Sequence, residues 1–211
     1  MPRRPRAAPS VVGNLKDAAL LERRREELVR CATAVFVERR FDKASVNDIA
    51  DRCGWSIGSL YRYVSSKEDI LVLVCEEIFR TISIDELRSA SIEDPLEGFR
   101  GALGRYCDNV HRNRAQVLLM YREYTQLTPD AQQHFKRRES EIYDVLAGAV
   151  SLGVERGVFT CDDPRLFAID CVMRVHTLAL KDWALGRRSY KHTRQRLLTW
   201  SERALGVPPP G

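Results

Sequence analysis

Apolar residues recur at helical spacing along most of this chain, and no stretch alternates convincingly as a strand does. Leu28, Ala32, Val35 and Phe36 fall at i, i+4, i+7 and i+8, which predicts a helix from about Ala18 to Arg40. A dense run of stops and starts follows, FDKASVNDIADRCGWSIGSLYRYVSSKEDILVLVC, from Phe41 to Cys75. Ser45 reads as the N-cap of VNDIADRC and Gly54 as its end; Ser56 reads as the cap of a second short helix, IGSLYRYV. Ser65 and Glu68 have capping-box spacing before a third helix from Lys67, with Ile70, Leu71, Val74, Cys75, Ile78, Phe79 and Ile82 on one broad face. Further on, Asp94-Pro95-Leu96-Glu97, Thr128-Pro129 and Asp163-Pro164 each read as helix starts with Pro in the first turn. The expected helices run from Pro95 through Val110, over about Arg114–Leu127, from Pro129 to Arg156, from Pro164 to Gly186 and over about Lys191–Leu205. The predicted fold class is all-α.

Two very short capped helices separated by a turn of about three residues are not an ordinary core pattern. They are the spacing of a DNA-reading helix-turn-helix. Charge agrees. Residues 1–67 hold 14 Lys+Arg against 8 Asp+Glu, a net of 14 − 8 = +6; the remainder holds 20 against 21, a net of −1. The positive excess lies with the motif, as a phosphate-binding surface requires. Gly58 and Ser59 are small enough for close approach to a phosphate backbone. Ser45, Ser59, Tyr61, Tyr63 and Lys67 can donate to phosphate oxygens, while the start of the second helix, Trp55 to Ser59, is the part that enters a major groove. Base reading falls to Ser56, Ile57 and Asn47 by apolar contact and hydrogen bonds, and Trp55 either joins them or packs on the first helix.

Ser45, Val46, Asp48, Ile49, Ala50, Gly54, Ser56, Gly58, Ser59, Leu60, Tyr61, Lys67, Glu68 and Leu71 together resemble the tetracycline-repressor (TetR) family of bacterial transcriptional regulators. The match covers roughly Leu28 to Ile78. It implies a helix-turn-helix domain over 18–66, after a basic arm at 1–17 expected to be disordered. A helical ligand-binding and dimerisation domain follows over 67–206, then a tail at 207–211. Arg3, Arg4 and Arg6 of the arm either reach DNA or form an idle tail. The implied partners are double-stranded DNA at a palindromic operator, a second copy of the chain, and a small hydrophobic effector, with no cofactor. Family members use the helix beginning near Lys67 to join the head to the body.

Eleven of the fifteen residues from Leu166 to Leu180 are apolar, so this helix is expected to be buried on more than one side. With Leu197, Leu198 and Trp200 it is the expected homodimer interface. Candidate effector contacts are Met120, Tyr121, Arg122 and Tyr124 in VLLMYREYTQL, then Phe135, and then Arg174, His176 and Trp183. An arginine and a histidine on so apolar a helix need partners, either a ligand anion or Asp170 or Glu123. LLMYREYTQL and GVERGVFTCDDPRL are similar to segments of TetR members that respond to CoA thioesters.

Other classes fit poorly. His111, His134, His176 and His192 are scattered without metal-ligand spacing, and neither a Gly-rich phosphate loop nor a nucleophile elbow is found, so no enzyme is expected. Six cysteines without a Cys-x-x-Cys pair read as reduced thiols in a cytoplasm. No run approaches a membrane span, and MPRRPRAAPSVVGN lacks the apolar stretch of a secretion signal. The competing reading is a constitutive DNA-binding scaffold, which would lack an enclosed apolar cavity.

Overall fold

The computed structural model describes residues 15–89, 94–186 and 188–208, so Arg3, Arg4 and Arg6 lie outside it. Every regular element among the described residues is helical. The first helix, α1 (Leu15–Arg39), starts slightly before the predicted Ala18. Its stripe of Leu28, Ala32, Val35 and Phe36 is buried and closes a small core with Ile49, Ala50 and Leu60 from α2 (Val46–Cys53) and α3 (Ile57–Leu60). Gly54 ends α2 at φ +68, a conformation that favours glycine, and its N–H reaches the carbonyls of Ala50 and Asp51. Only the first half of IGSLYRYV is α-helical; Tyr63 N–H then donates to Leu60 O at 2.9 Å in a tighter turn.

Helix α4 (Lys67–Arg80) is capped one residue later than expected. Ser66 Oγ accepts from Asp69 N–H at 3.0 Å, and an Asp69 carboxylate oxygen accepts from Ser65 N–H at 3.0 Å. Ser65 and Ser66 both begin a Ser-x-x-acid pattern, and apolar periodicity does not discriminate between adjacent hydroxyls. The buried face of α4 is the predicted one, from Ile70 to Phe79.

The body comprises α5 (Ile84–Ser89), α6 (Pro95–Arg112), α7 (Arg114–Glu123), α8 (Pro129–Glu155), α9 (Pro164–Leu180), α10 (Asp182–Leu185) and α11 (Tyr190–Ala204). Asp94, Thr128 and Asp163 cap α6, α8 and α9 as their X-Pro sequences predict. Three boundaries differ from expectation. Helix α5 is new: six mostly polar residues show no stripe, although Leu87 is buried. Helix α7 stops at Glu123 and a 3₁₀ turn, Tyr124–Gln126, follows. The helix expected to reach Gly186 ends at Leu180, and α10 is a separate turn.

Helices α6, α8 and α9 pack on one another, while α4 and α7 lie between them and α1. The return after α8 is close. A Cβ on Gly153 would sit 2.0 Å from the Phe159 ring, so only glycine lets Phe159 fold back onto the core. Helix α9 buries Ala168, Cys171, Val172, Val175, His176, Leu178 and Ala179 yet leaves Leu166 and Met173 exposed.

Candidate DNA-binding face and effector cavity

The head exposes one end of α2 and the start of α3. At the first, Ser45 Oγ accepts from Asp48 N–H at 3.1 Å and donates to Asp48 Oδ2 at 2.7 Å, while Asp48 also accepts from Ser45 N–H at 2.8 Å. Those bonds from Ser45, with the Arg39 guanidinium behind them, hold the Asp48 carboxyl below its ordinary range. Ser56 caps α3 in the same manner and donates to Ser59 Oγ at 2.9 Å. Asn47, Ser56, Ile57, Gly58 and Tyr61 are exposed. A Cβ on Gly58 would meet nothing within 4 Å, so its smallness serves nothing inside the described structure and fits a surface that another molecule approaches.

Trp55, Tyr63 and Lys67, also predicted DNA contacts, pack or bond within the head as well. Trp55 is half-buried, tilted against Tyr63 at 5.4 Å, with the Arg24 guanidinium 5.1 Å above its ring. It therefore packs on the first helix, the second of the two roles the sequence left open. Lys67 Nζ donates to Phe41 O at 2.8 Å and Ala44 O at 3.0 Å and lies 4.3 Å above the Phe41 ring. It ties α4 to the turn that follows α1. Two basic residues were missed: Arg24 and Arg62 border a hollow of about 210 Å³ with Ser56, Ser59, Trp55 and Tyr63. The YRY within SLYRYV is the one sequence signal for Arg62; Arg24 sits in a run of six charged residues that does not single it out.

The body holds a cavity of about 420 Å³. Its walls are mostly apolar: Ile78 and Phe79 of α4, Val117 and Met120 of α7, and Phe135 of α8, which stacks on Phe79 at 5.8 Å. Tyr106, Tyr121, Tyr124, Lys136, Glu139 and His176 complete the lining. Of the sequence candidates, Met120, Tyr121, Tyr124, Phe135 and His176 come together here. Arg174 and Trp183 do not, a correction with a plain cause. Arg174 projects from the opposite side of α9 and lies 3.5 Å above the Trp200 ring; Trp183 is 79% exposed on α10, beyond the end of α9. Arg122 also points away, with Nε on the buried Glu123 at 2.6 Å and Nη2 on the carbonyl of Phe36 in the head.

His176 finds its partners in tyrosines rather than in an anion, Asp170 or Glu123. Tyr106 Oη lies 2.6 Å from Nε2 and Tyr121 Oη 2.7 Å from Nδ1. Burial pushes the imidazole down to about 4, so it is neutral at physiological pH, with one nitrogen donating and the other accepting. Burial also raises both phenols, helped by the nearby Glu139 carboxylate, so both keep their protons. Burial raises the Glu139 carboxyl as well, and a hydrogen bond from Tyr143 partly offsets this. Tyr106, Lys136 and Glu139 were not singled out from the sequence. Glu139 shares the 3–4-residue spacing of Phe135 and Ile142, and that periodicity places it inward.

The six cysteines are free thiols, and burial pushes Cys75, Cys107 and Cys171 up to about 12. No group of metal-ligating side chains was found among the described residues.

Comparison with known proteins agrees with this division. Residues 28–74 match the family described as bacterial regulatory proteins, tetR family, and residues 93–194 match a tetracyclin repressor-like C-terminal domain. The regulator HbdR of Aromatoleum sp. is 27% identical over 179 residues, 84% of this chain and 78% of its own. The transcriptional repressor KstR2 of Mycolicibacterium smegmatis is 32% identical over 146 residues, 66% of this chain and 69% of its own. Among solved structures, AibR in complex with isovaleryl coenzyme A and operator DNA superposes with a TM-score of 0.70, covering 84% of this chain and 97% of AibR at 19% identity. The helix-turn-helix head, the helical body and these relatives together place the chain in the TetR family of DNA-binding transcriptional regulators.

Proposed function

We propose that the chain is a cytoplasmic homodimeric repressor that holds a palindromic operator and leaves it when an apolar effector fills the cavity. The observation that carries this reading is that α4 belongs to both parts. Lys67 at its start is bonded to the head, and Ile78 and Phe79 near its end line the cavity. A molecule that presses on Ile78 and Phe79 has a rigid path to the head. It shifts the head only by as much as it binds the two head positions differently. Apolar side chains left exposed on α9, Leu166 and Met173, support a second copy docking there. Ser45, Asn47, Ser56, Ile57, Gly58, Ser59 and Tyr61 are the proposed DNA-facing set.

AibR, which shares the fold, was solved with isovaleryl coenzyme A, and this supports CoA thioesters as the first effectors to try. The deciding experiment is operator binding measured against effector concentration, followed by effector binding measured with and without operator. A coupling of about 1–3 kcal/mol weakens operator binding by ~5- to 150-fold, and reciprocity demands the same factor in the second titration. Equal effector affinity in both titrations would mean that the body does not control the head and that the chain is a constitutive DNA-binding scaffold.

A further inference from the structure

The polar atoms of the cavity are unevenly satisfied. Tyr124 Oη is buried and has no hydrogen-bond partner among the described residues. Buried hydroxyls almost always have one, so an unpartnered phenol among the lining residues is a donor for the oxygen of an occupant. Tyr121 is in a related position. With His176 neutral, one arrangement gives every proton of the relay an acceptor: Tyr106 O–H donates to Nε2, Nδ1–H donates to Tyr121, and Tyr121 O–H turns to Met173 Sδ at 3.5 Å. A thioether is a weak acceptor, so the Tyr121 proton is available to a better one. Two phenolic donors thus border the cavity without a strong acceptor between them.

The charged groups work in the opposite sense. Glu139 is half-buried, bonds to Tyr143, and forms no ion pair among the described residues. Lys136, one turn earlier, is exposed. Among the described residues, no arginine lines the cavity. A ligand carboxylate inside would share a desolvated space with the Glu139 carboxylate, and two such groups cannot both stay ionised cheaply.

We propose that the cavity selects an uncharged, largely apolar group through one hydroxyl or carbonyl oxygen that accepts from Tyr124 and Tyr121, and that Glu139 excludes carboxylates. This rests on reading the cavity as the effector site and names the effector's chemistry. A thioester fits, because its acyl end is neutral and carries a carbonyl oxygen; the corresponding free acid does not.

The test is calorimetric binding of 2-naphthol, naphthalene and 2-naphthoate to the full chain without DNA. 2-Naphthol is expected to bind at least about tenfold more tightly than the other two, the scale of one well-made buried hydrogen bond. Tyr124→Phe should cut 2-naphthol affinity roughly tenfold and leave naphthalene unchanged, and Glu139→Gln should bring 2-naphthoate up by about the same factor. Circular dichroism confirms that each variant is folded. A wild-type chain that binds 2-naphthoate as tightly as 2-naphthol, or binds none of the three while folded, overturns the proposal. So does a Tyr124→Phe variant that keeps the full preference for 2-naphthol. Selective binding without any release of operator would leave this subsite standing and remove the inducer reading. Operator release driven by 2-naphthoate would do the reverse.

Discussion

Replacing Lys67 by Met separates two roles that sequence alone does not distinguish. Methionine keeps the apolar stem and removes the ammonium. In the folded chain that ammonium donates to Phe41 O at 2.8 Å and Ala44 O at 3.0 Å and lies 4.3 Å above the Phe41 ring. Hydrogen bonds from a charged donor contribute about 1.5–3 kcal/mol each when well shielded. Lys67 is only half-buried and the freed carbonyls can regain water, so the lower end of that range applies to the pair. The contact with the Phe41 ring adds about 0.5–1 kcal/mol. Lys67→Met should therefore cost about 2 kcal/mol, a fall of roughly 4–8 °C in a thermal melt for a chain of this size. Operator binding measured by fluorescence anisotropy over a range of salt supplies the second readout. A residue that neutralises a phosphate lowers the slope of log affinity against log salt by about 0.9 when removed. A residue that holds the head together leaves the slope where it was. An unchanged melting point together with a slope reduced by about one would refute the structural role and restore Lys67 as a phosphate contact.

Tyr61→Phe should weaken binding to all DNA sequences alike, whereas Ile57→Ala should change base preference by about 1–3 kcal/mol at a position; competition with variant operators separates the two. His176 ties stability to pH. Its folded value of about 4 lies below the unfolded value near 6.5, so the unfolded chain takes up the proton first. Its contribution is complete above about 6.5 and is lost as pH falls toward 4, amounting to roughly 3 kcal/mol. His176→Gln should flatten the melting profile in that window; an equally steep profile in the variant would assign the acid sensitivity to other groups. Arg122→Ala should leave effector binding intact while reducing the effect of effector on operator affinity, because Arg122 joins α7 to the Phe36 carbonyl. Unaltered coupling would mean that α4 carries the signal alone.

Most of the helical framework was legible because long stripes such as Leu28–Phe36 and Ile70–Phe79 can be buried in only one way, and X-Pro starts mark their helices. What failed was local. Helix α5 has too few apolar positions to show a period. The break at Lys181 leaves the apolar pattern uninterrupted, so nothing in IDCVMRVHTLALKDWALG signals that Leu180 is the last helical residue. That break carries Trp183 off the cavity. Arg174 and His176 are two residues apart, and on a helix this spacing puts them on different sides. Their shared rarity on an apolar helix suggested one site, while the geometry gives His176 to the cavity and Arg174 to Trp200. Lys67 beside a DNA-reading motif looks like a phosphate contact from sequence, and the structure adds two carbonyl partners that the sequence does not show.

The proposed control of the head has a path along each wall of the cavity. Helix α4 meets the cavity at Ile78 and Phe79, and Arg138 of α8 holds it there by donating to Phe79 O at 3.2 Å. The end of α4 is fixed to α6 by Asn109, whose Nδ2 donates to Ile78 O at 2.8 Å and whose Oδ1 accepts from Thr81 at 2.7 Å. Asn113 completes that knot by donating to Thr81 Oγ1 at 2.8 Å. Asn109 and Asn113 are buried, Thr81 is half-buried, and the three satisfy one another, which stiffens the junction of α4 with α6. On the other wall, α7 contributes Val117, Met120 and Tyr121 to the cavity and, through Arg122, reaches the end of α1. Under the proposed effector control, an occupant that widens the gap between α4 and α7 acts on the head at two points, the turn held by Lys67 and the carbonyl held by Arg122.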